Sequence, residues 1–172
     1  DSATSAGNSD VFLAKYSPSG AFQWLRRGGG ADADYAQDLA VDINSNSFIT
    51  GFFGGTTTFG SRTVNSAGQF DVYVAKYSST GTMNWLQRGG GSDFDFPYGI
   101  AADKLGNTFV VGDYFYQTTF WNSTLNGLGN YDFFLARLPD VSANDAGITA
   151  INFPTAPFPQ GAAAVTVTIK NF

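Results

Sequence analysis

The stretch DVFLAKYS, residues 10–17, decides the fold because it returns as DVYVAKYS at residues 71–78, 61 positions later. A weaker copy, DFFLARL, occupies residues 132–138. Aligned without a gap, residues 10–70 and 71–131 are identical at 26 of 61 positions. Self-similarity at a fixed period predicts stacked units, each of which buries its apolar face against a neighbouring unit.

The composition indicates a globular, ordered chain and excludes several classes of function. Hydrophobic residues make up 43% of the 172 positions, which is enough for a sizeable core, whereas charged residues make up only 13%. The net charge is −5 without a cluster of basic residues, so we expect no nucleic-acid partner. Histidine and cysteine are absent, which removes the usual zinc ligands, cysteine nucleophiles and histidine acid–base pairs. No apolar run approaches the roughly 18 residues of a membrane helix, so we expect no membrane insertion.

Each copy alternates short runs of aromatic and β-branched residues with turn signals, and shows no helical period. The strands predicted in the first copy lie at 11–16, 21–27, about 38–42 and 48–53. The triple glycine at 28–30 is expected to end the second strand, and a long loop at 54–70 holds the remaining length. Four short antiparallel strands per unit predict an all-β fold made of four-stranded β-propeller blades, with a stacked β-solenoid as the alternative.

A set of residues at fixed offsets in the second copy is typical of one bacterial repeat. They are DVYVAKY at 71–77, Gly81, Trp85, the triple glycine at 89–91, Asp93, IAAD at 100–103, Gly106-Asn107 and VVG at 110–112. Together they resemble the bacterial β-propeller repeat called SBBP over about residues 5–138. The resemblance implies a propeller within a secreted or surface protein, often a large multidomain one, and it brings no active site with it.

The tail has a different composition from about residue 140 onward. Residues 145–151 and 164–172 alternate as strands, and prolines lie between them. This tail resembles the first two strands of an immunoglobulin-like module of the CARDB type. We therefore predict a partial propeller at 1–139, followed at 140–172 by a linker and the beginning of an Ig-like β-sandwich. The propeller part divides into repeats 10–70 and 71–131 and a partial repeat at 132–139.

Three blades are expected to be unequally complete. Residues 11–27 correspond to the outer half of one blade, 38–88 to a whole blade, and 99–138 to three strands of another. We expect the missing outer strand of that last blade to come from far upstream in a longer chain, because an open sheet edge invites aggregation.

Paired aspartates follow each triple glycine, as Asp32-x-Asp34 and as Asp93-x-Asp95. Oxygen-rich loops can bind Ca²⁺, which prefers six to eight oxygen ligands. Each loop offers only two carboxylates, so a solvated turn whose aspartates bond their own backbone is the favoured interpretation. A calcium site is the alternative, and no other cofactor is expected.

Aspartates also precede all three copied strands, and a basic residue follows each of them five positions later. The pairs are Asp10 with Lys15, Asp71 with Lys76 and Asp132 with Arg137. An ion pair between blades is one interpretation. A turn aspartate with an unrelated exposed base is the favoured one, because exposed pairs contribute little.

Three bulky aromatic residues, Tyr114, Tyr116 and Trp121, lie in the loop that differs most from its copy at 52–60. Exposed aromatic rings can stack on sugars or on a protein partner, so these residues are candidates for ligand binding. Packing against the tail module is the favoured alternative. Trp24 and Trp85, by contrast, are expected in the core between blades.

Two short patterns predict glycosylation. Asn122-Ser123-Thr124 fits the N-glycosylation acceptor pattern, which makes Asn122 the candidate. Asp1-Ser2-Ala3 fits the Asp-Ser/Thr-apolar pattern of O-glycosylation, which makes Ser2 the candidate.

The favoured function is a non-enzymatic structural or adhesive module of a large bacterial protein. Resemblance implies an extracellular or cell-surface location, with export by the type IX route. A carbohydrate-binding propeller is the first alternative, and a propeller enzyme with its active site in other blades is the second. The expected partners are the remaining blades and downstream domains of a longer chain, with surface glycans and surface or secretion-machinery proteins as further candidates.

Overall fold

The structure is a computed structural model that describes residues 2–140. The tail at 141–172, where the Ig-like module is predicted, lies outside the described residues. Residues 2–140 form eleven β-strands and contain no helix. The strands are β1 (Val11–Tyr16), β2 (Phe22–Gly30), β3 (Asp34–Val41), β4 (Ser47–Phe53), β5 (Thr56–Phe59), β6 (Arg62–Asn65), β7 (Asp71–Tyr77), β8 (Met83–Gly90), β9 (Asp95–Ala102), β10 (Thr108–Phe120) and β11 (Ser123–Leu138).

Nine of the eleven strands form three antiparallel groups, which we call blades 1, 2 and 3. Blade 2 is a four-stranded unit in the order β3-β4-β7-β8. Blade 1 contains β1 and β2, and blade 3 contains β9, β10 and β11. This all-β, antiparallel arrangement agrees with the prediction of four-stranded units and is consistent with a propeller.

The region predicted as a long loop is a β-hairpin that links neighbouring blades. Strands β5 and β6 pair with each other, and β5 also pairs with β2 of blade 1, placing Gly28 opposite Phe59. The end of β10 and the start of β11 form the corresponding hairpin, which places Gly89 of blade 2 opposite Phe120. The prediction that the triple glycine ends the second strand is therefore wrong, because β2 extends to Gly30. The strand continues through it because the hairpin supplies a pairing partner.

Two apolar clusters fill the spaces between the blades. Cluster A lies between blades 1 and 2, and cluster B lies between blades 2 and 3. Nine of the ten buried residues of cluster A have a counterpart in cluster B at the equivalent position of the next copy, so the two junctions are built alike. The pairs are Val11 and Val72, Leu13 and Val74, Trp24 and Trp85, Ile49 and Val110, Phe53 and Tyr114, Phe59 and Phe120, Tyr73 and Phe134, Ala75 and Ala136, and Tyr77 and Leu138.

Candidate functional site at the blade junctions

Each glycine of the triple-glycine motif at 89–91 is required by a different neighbour. A Cβ on the first glycine would lie 1.9 Å from the ring of Phe120, and one on the second would lie 2.2 Å from the carboxyl carbon of Asp71. A Cβ on the third would lie 1.8 Å from the carbonyl oxygen of Gln117. The hairpin of β10 and β11 and the buried carboxylate of Asp71 thus both approach the backbone of this motif so closely that no side chain fits there. We call this arrangement the glycine cradle. In the first copy the corresponding neighbours of glycines 28–30 are Phe59, Asp10 and Thr56.

The aspartates that open the copied strands pair with arginines of the same blade. Asp71 is completely buried, and its Oδ2 lies 2.7 Å from Nη1 of Arg88 and accepts the N–H of Ala67 at 2.9 Å. Asp10 pairs with Arg27 at the same distance of 2.7 Å. Burial raises the pKa of Asp71, while the hydrogen bond from Ala67 and the positive charge of Arg88 act in the opposite direction. Both the aspartate and the arginine are identical in the two copies, and this was the signal for the pair in the sequence.

The lysines that the sequence associated with those aspartates bond to the next blade instead. Lys76 is buried, and its Nζ lies 2.6 Å from Oδ1 of Asp140, which follows the last strand of blade 3. Lys15 donates from Nζ to the carbonyl oxygen of Ser79 in blade 2 at 3.0 Å. The ion pair between blades therefore exists at Lys76 with a different partner, and the interpretation as an unrelated exposed base is wrong for that residue.

Asp95 lies where blade 3 meets blade 2 and has no exposed surface. Its Oδ2 accepts the N–H of Gly91 at 2.8 Å, and its own backbone N–H donates to the carbonyl oxygen of Phe70 at 2.8 Å. Its Oδ1 and the hydroxyl oxygen of the neighbouring Thr118 are both buried, and neither has a hydrogen-bond partner in the structure. Burial raises the pKa of Asp95 to about 6, with the Thr118 hydroxyl and the Gly91 N–H opposing the shift and the charge of Asp71 adding to it.

The four aspartates of the predicted calcium loops do not converge on one point. Asp34 and Asp95 are buried, and each accepts the N–H of the glycine four positions before it, so they bond local backbone but are not solvated. Asp32 is exposed and Asp93 is half-buried. Burial also raises the pKa of Asp34. Among residues 2–140 there is no group of three or more carboxylates that could hold a metal ion.

The three aromatic candidates for ligand binding lie in different environments. Tyr114 is 5% exposed and belongs to cluster B, at the position of Phe53 in the first copy, so it is not on the surface where the sequence placed it. Trp121 is half-buried and packs on the ring of Phe120 at 5.7 Å. Tyr116 is 53% exposed and is the one candidate of the three that stays available to a ligand.

Tyr116 and Trp121 also adopt a left-handed backbone conformation, which residues other than glycine rarely adopt. Their φ angles are 59° and 55°, and the equivalent residues of the first copy are Gly55 and Gly60, both at 59°. A bulky residue in this left-handed region costs about 1–2 kcal/mol. The exchange of glycine for an aromatic residue between the copies was visible in the sequence, but its conformational consequence was not. Tyr116 occupies a bulge of β10, and its ring lies 4.3 Å from that of Phe115.

Trp24 and Trp85 are buried between blades, as predicted, with 6% and 7% exposure. The indole of Trp24 stacks on Tyr77 of blade 2 at 6.4 Å, and its Nε1 donates to the carbonyl oxygen of Ser79 at 3.1 Å. These residues therefore contribute to blade packing.

Both glycosylation candidates are exposed. Ser2 lies ahead of the first strand, and Asn122 lies in the turn between β10 and β11. In the part of the chain that the structure describes, no helix is long and apolar enough to cross a membrane.

Comparisons with known proteins agree with this architecture. An uncharacterised WD repeat-containing protein of Acanthamoeba polyphaga mimivirus is 31% identical over 118 residues, which is 63% of this chain. The chain spans only 8% of the length of that curated relative. Two segments, residues 23–51 and 84–113, match the SBBP family, described as a Beta-propeller repeat. Residues 23–51 cover β2, β3 and most of β4, and residues 84–113 cover β8, β9 and the start of β10, so each matched segment spans a junction between two blades and supports the interpretation of these strands as propeller repeats.

Proposed function

We propose that the chain is a non-enzymatic structural module, part of a propeller in a large secreted or cell-surface bacterial protein with an adhesive role. One observation carries the proposal. The carboxylates of Asp71 and Asp95, whose pKa values are raised by burial as in many catalytic acids, are enclosed in the blade junctions. Asp71 and Asp95 have no exposed surface, and each is bonded to backbone N–H groups. Groups buried in this way position blades and do not meet a substrate.

The linkage between blades supports a scaffolding role. Each junction combines backbone pairing by a hairpin, an apolar cluster and a lysine that reaches the next blade. Each of these contacts joins residues distant in sequence, so one blade cannot shift without breaking contacts of three kinds. Blades joined in these three ways suit a spacer or an adhesive platform on a cell surface.

The location can be tested on intact cells of the source bacterium. We expect an antibody raised against the chain to label the surface of unpermeabilised cells, and external protease to remove the signal. A cytoplasmic marker protein, which should resist the protease, is the control. Labelling that appears only after permeabilisation would contradict the proposed location.

Carbohydrate binding is the second candidate, and the exposed, strained Tyr116 favours it. The ring of Phe115 bridges Tyr116 and Tyr131, at 4.3 Å and 5.0 Å, and Tyr131 is 55% exposed. Flat exposed rings of this kind can stack on sugars. A glycan array probed with the wild-type chain should show ligands that Tyr116→Ala loses and that Tyr16→Ala, at an equally accessible tyrosine of blade 1, retains. An array without any hit, or hits unaffected by Tyr116→Ala, would remove this candidate.

A further inference from the structure

The junction of blades 2 and 3 carries a group of aromatic side chains beside the glycine cradle. We call Phe70, Phe94, Phe115 and Tyr116 the aromatic rim. The rings of Phe70 and Phe94 lie 6.0 Å apart, and those of Phe115 and Tyr116 lie 4.3 Å apart. The backbone joins the two pairs, because the N–H of Phe115 donates to the carbonyl oxygen of Phe94 at 3.1 Å. Tyr116 is 53% exposed and the other three are half-buried, so the rim reaches the surface between two described blades.

The backbone of the rim has the same arrangement at the junction of blades 1 and 2. A parallel bridge joins Ser9 to Ala33 there, as it joins Phe70 to Phe94. The N–H of Gly54 donates to the carbonyl oxygen of Ala33 at 3.2 Å, which repeats the bond between the two pairs of the rim. This part of a junction therefore forms without aromatic side chains.

All four positions of the rim hold small residues in the first copy. Phe70, Phe94, Phe115 and Tyr116 correspond to Ser9, Ala33, Gly54 and Gly55. One junction thus carries four rings on a backbone that the other forms without them. Tyr116 does so at a φ of 59°, in a region that residues other than glycine rarely adopt. Backbone strain of this kind is concentrated at functional sites, so the rim is a candidate binding surface.

Polar side chains that can bind hydroxyl groups adjoin the rim. Asp93 is half-buried, and its carboxylate accepts a long hydrogen bond of 3.4 Å from the Ser92 hydroxyl. Gln117 is exposed, and its Nε2 donates to Oδ1 of Asn126 at 2.6 Å. Carboxylate and amide groups accept hydrogen bonds from sugar hydroxyl groups, while aromatic rings stack on the apolar faces of sugars. The combination indicates a carbohydrate ligand.

The charges at this junction favour an uncharged ligand. Arg88 is paired with Asp71 at 2.7 Å, and Lys76 is paired with Asp140 at 2.6 Å, so both basic residues are already engaged. Asp93 adds a negative charge beside the rim. This carboxylate would repel an acidic glycan, whereas an uncharged glycan is not repelled.

We propose that the aromatic rim binds an extended, uncharged glycan. Sugar rings stack on Tyr116 and on the half-buried rings beside it, and hydroxyl groups donate to Asp93 and Gln117. The inference rests on the carbohydrate candidate of the proposed function. It adds the place of the site, which is the junction of blades 2 and 3, and the class of glycan. Because several rings take part, the affinity increases with the number of linked sugars.

Affinity electrophoresis of the complete chain in native gels tests the proposal. The probes are the uncharged polysaccharides hydroxyethylcellulose, xyloglucan, galactomannan and laminarin and the acidic polysaccharides alginate and polygalacturonate. We expect at least one uncharged polysaccharide, and neither acidic one, to retard the wild-type chain. A hexamer of the same sugar should compete at least about tenfold better than the single sugar, because it covers several rings. Retardation by no uncharged polysaccharide, preference for an acidic one, or equal competition would overturn the proposal.

Two variants restore the residues of the first copy and separate ligand binding from stability. Tyr116→Gly should raise the dissociation constant at least about tenfold while the melting temperature stays the same or rises, because it removes a ring and relieves the left-handed strain. Phe94→Ala should weaken binding as well. Tyr16→Ala, at a 59% exposed tyrosine of blade 1, is the matched control and should bind like the wild type. A purely structural role predicts the reverse, with Tyr116→Gly less stable and binding unchanged.

The same measurements separate the rim from the carbohydrate candidate on which it rests. If Tyr116→Gly abolishes binding but Phe94→Ala, shown by far-ultraviolet circular dichroism to be folded, binds like the wild type, a one-ring sugar site remains and the rim is wrong. If no uncharged polysaccharide retards the chain although a glycan array gives hits that depend on Tyr116, the rim is wrong and the candidate stands. Binding that is independent of Tyr116 contradicts both.

Discussion

Replacing Asp95 by asparagine is expected to stabilise the protein at neutral pH. The carboxylate is fully buried, its Oδ1 has no hydrogen-bond partner, and burial raises its pKa from 3.8 to about 6. At neutral pH the folded protein must therefore hold an incompletely compensated negative charge in its interior. The asparagine side chain keeps an oxygen that can accept the N–H of Gly91 and removes the charge.

The size and the sign of the effect follow from proton linkage. A carboxyl group whose pKa is raised on folding binds its proton more tightly in the folded state, so folding is favoured below the unfolded pKa of 3.8. This contribution is lost as the pH rises through the folded pKa of about 6. A rise from 3.8 to about 6 corresponds to about 3 kcal/mol, which is an upper limit because the folded protein can relax around the charge. The gain from Asp95→Asn should therefore be largest above pH 6 and small near pH 4.

Urea denaturation followed by tryptophan fluorescence at pH 4.5, 6 and 8 measures the effect, in a buffer series chosen around the pKa of about 6. The control is Asp93→Asn, which removes one negative charge from the half-buried aspartate of the same turn and leaves the buried carboxylate in place. If Asp95→Asn destabilised the protein equally at all three pH values, the ionised carboxylate would be a stabilising acceptor and the reasoning would be refuted.

The remaining predictions concern the glycine cradle, the buried ion pair and calcium. Gly89→Ala should destabilise the protein by about 1–3 kcal/mol in chemical denaturation, because its Cβ would lie 1.9 Å from the ring of Phe120. Gly129→Ala, with no atom within 4 Å, is the control, and equal effects would contradict the cradle. Asp71→Ala should cost about 1–3 kcal/mol, with a favourable coupling to Arg88 in a double-mutant cycle, and additive effects would show that the pair contributes nothing. Adding Ca²⁺ or a chelator should leave the melting temperature unchanged, whereas a drop of several degrees on chelation would revive the calcium site.

Local patterns in the sequence located four of the six strands of the first copy and the turns that join them in pairs. Alternating aromatic and β-branched residues predicted 11–16, which is β1, and 48–53, which the structure extends by one residue as β4. The turn glycine of the first copy, Gly20, closes on Ser17 with a backbone hydrogen bond of 2.9 Å. These features depend on the preferences of neighbouring residues, which are written in the sequence directly.

The roles of the polar residues were less accessible from the sequence. The sequence favours a solvated turn for Asp95, because aspartate side chains in turns commonly bond their own backbone. Asp95 is instead buried beside Thr118, which belongs to a hairpin that is not its neighbour in sequence. For the same reason the sequence favours no ion pair for Asp71 and offers only Lys76 as an alternative partner, whereas the adjacent strand presents Arg88.

The sequence by itself determined the all-β character, the positions of the copied strands and the tryptophans of the core. Only the tertiary structure decided that the 54–70 region is a hairpin that pairs with the blade before it, and that the triple glycine exists to receive it. The physical reason is that strand pairing depends on which backbone edge is free in space. Local residue preferences make a segment suitable for a strand, but the partner of Gly28 is Phe59, and that contact forms only when the blades stand side by side.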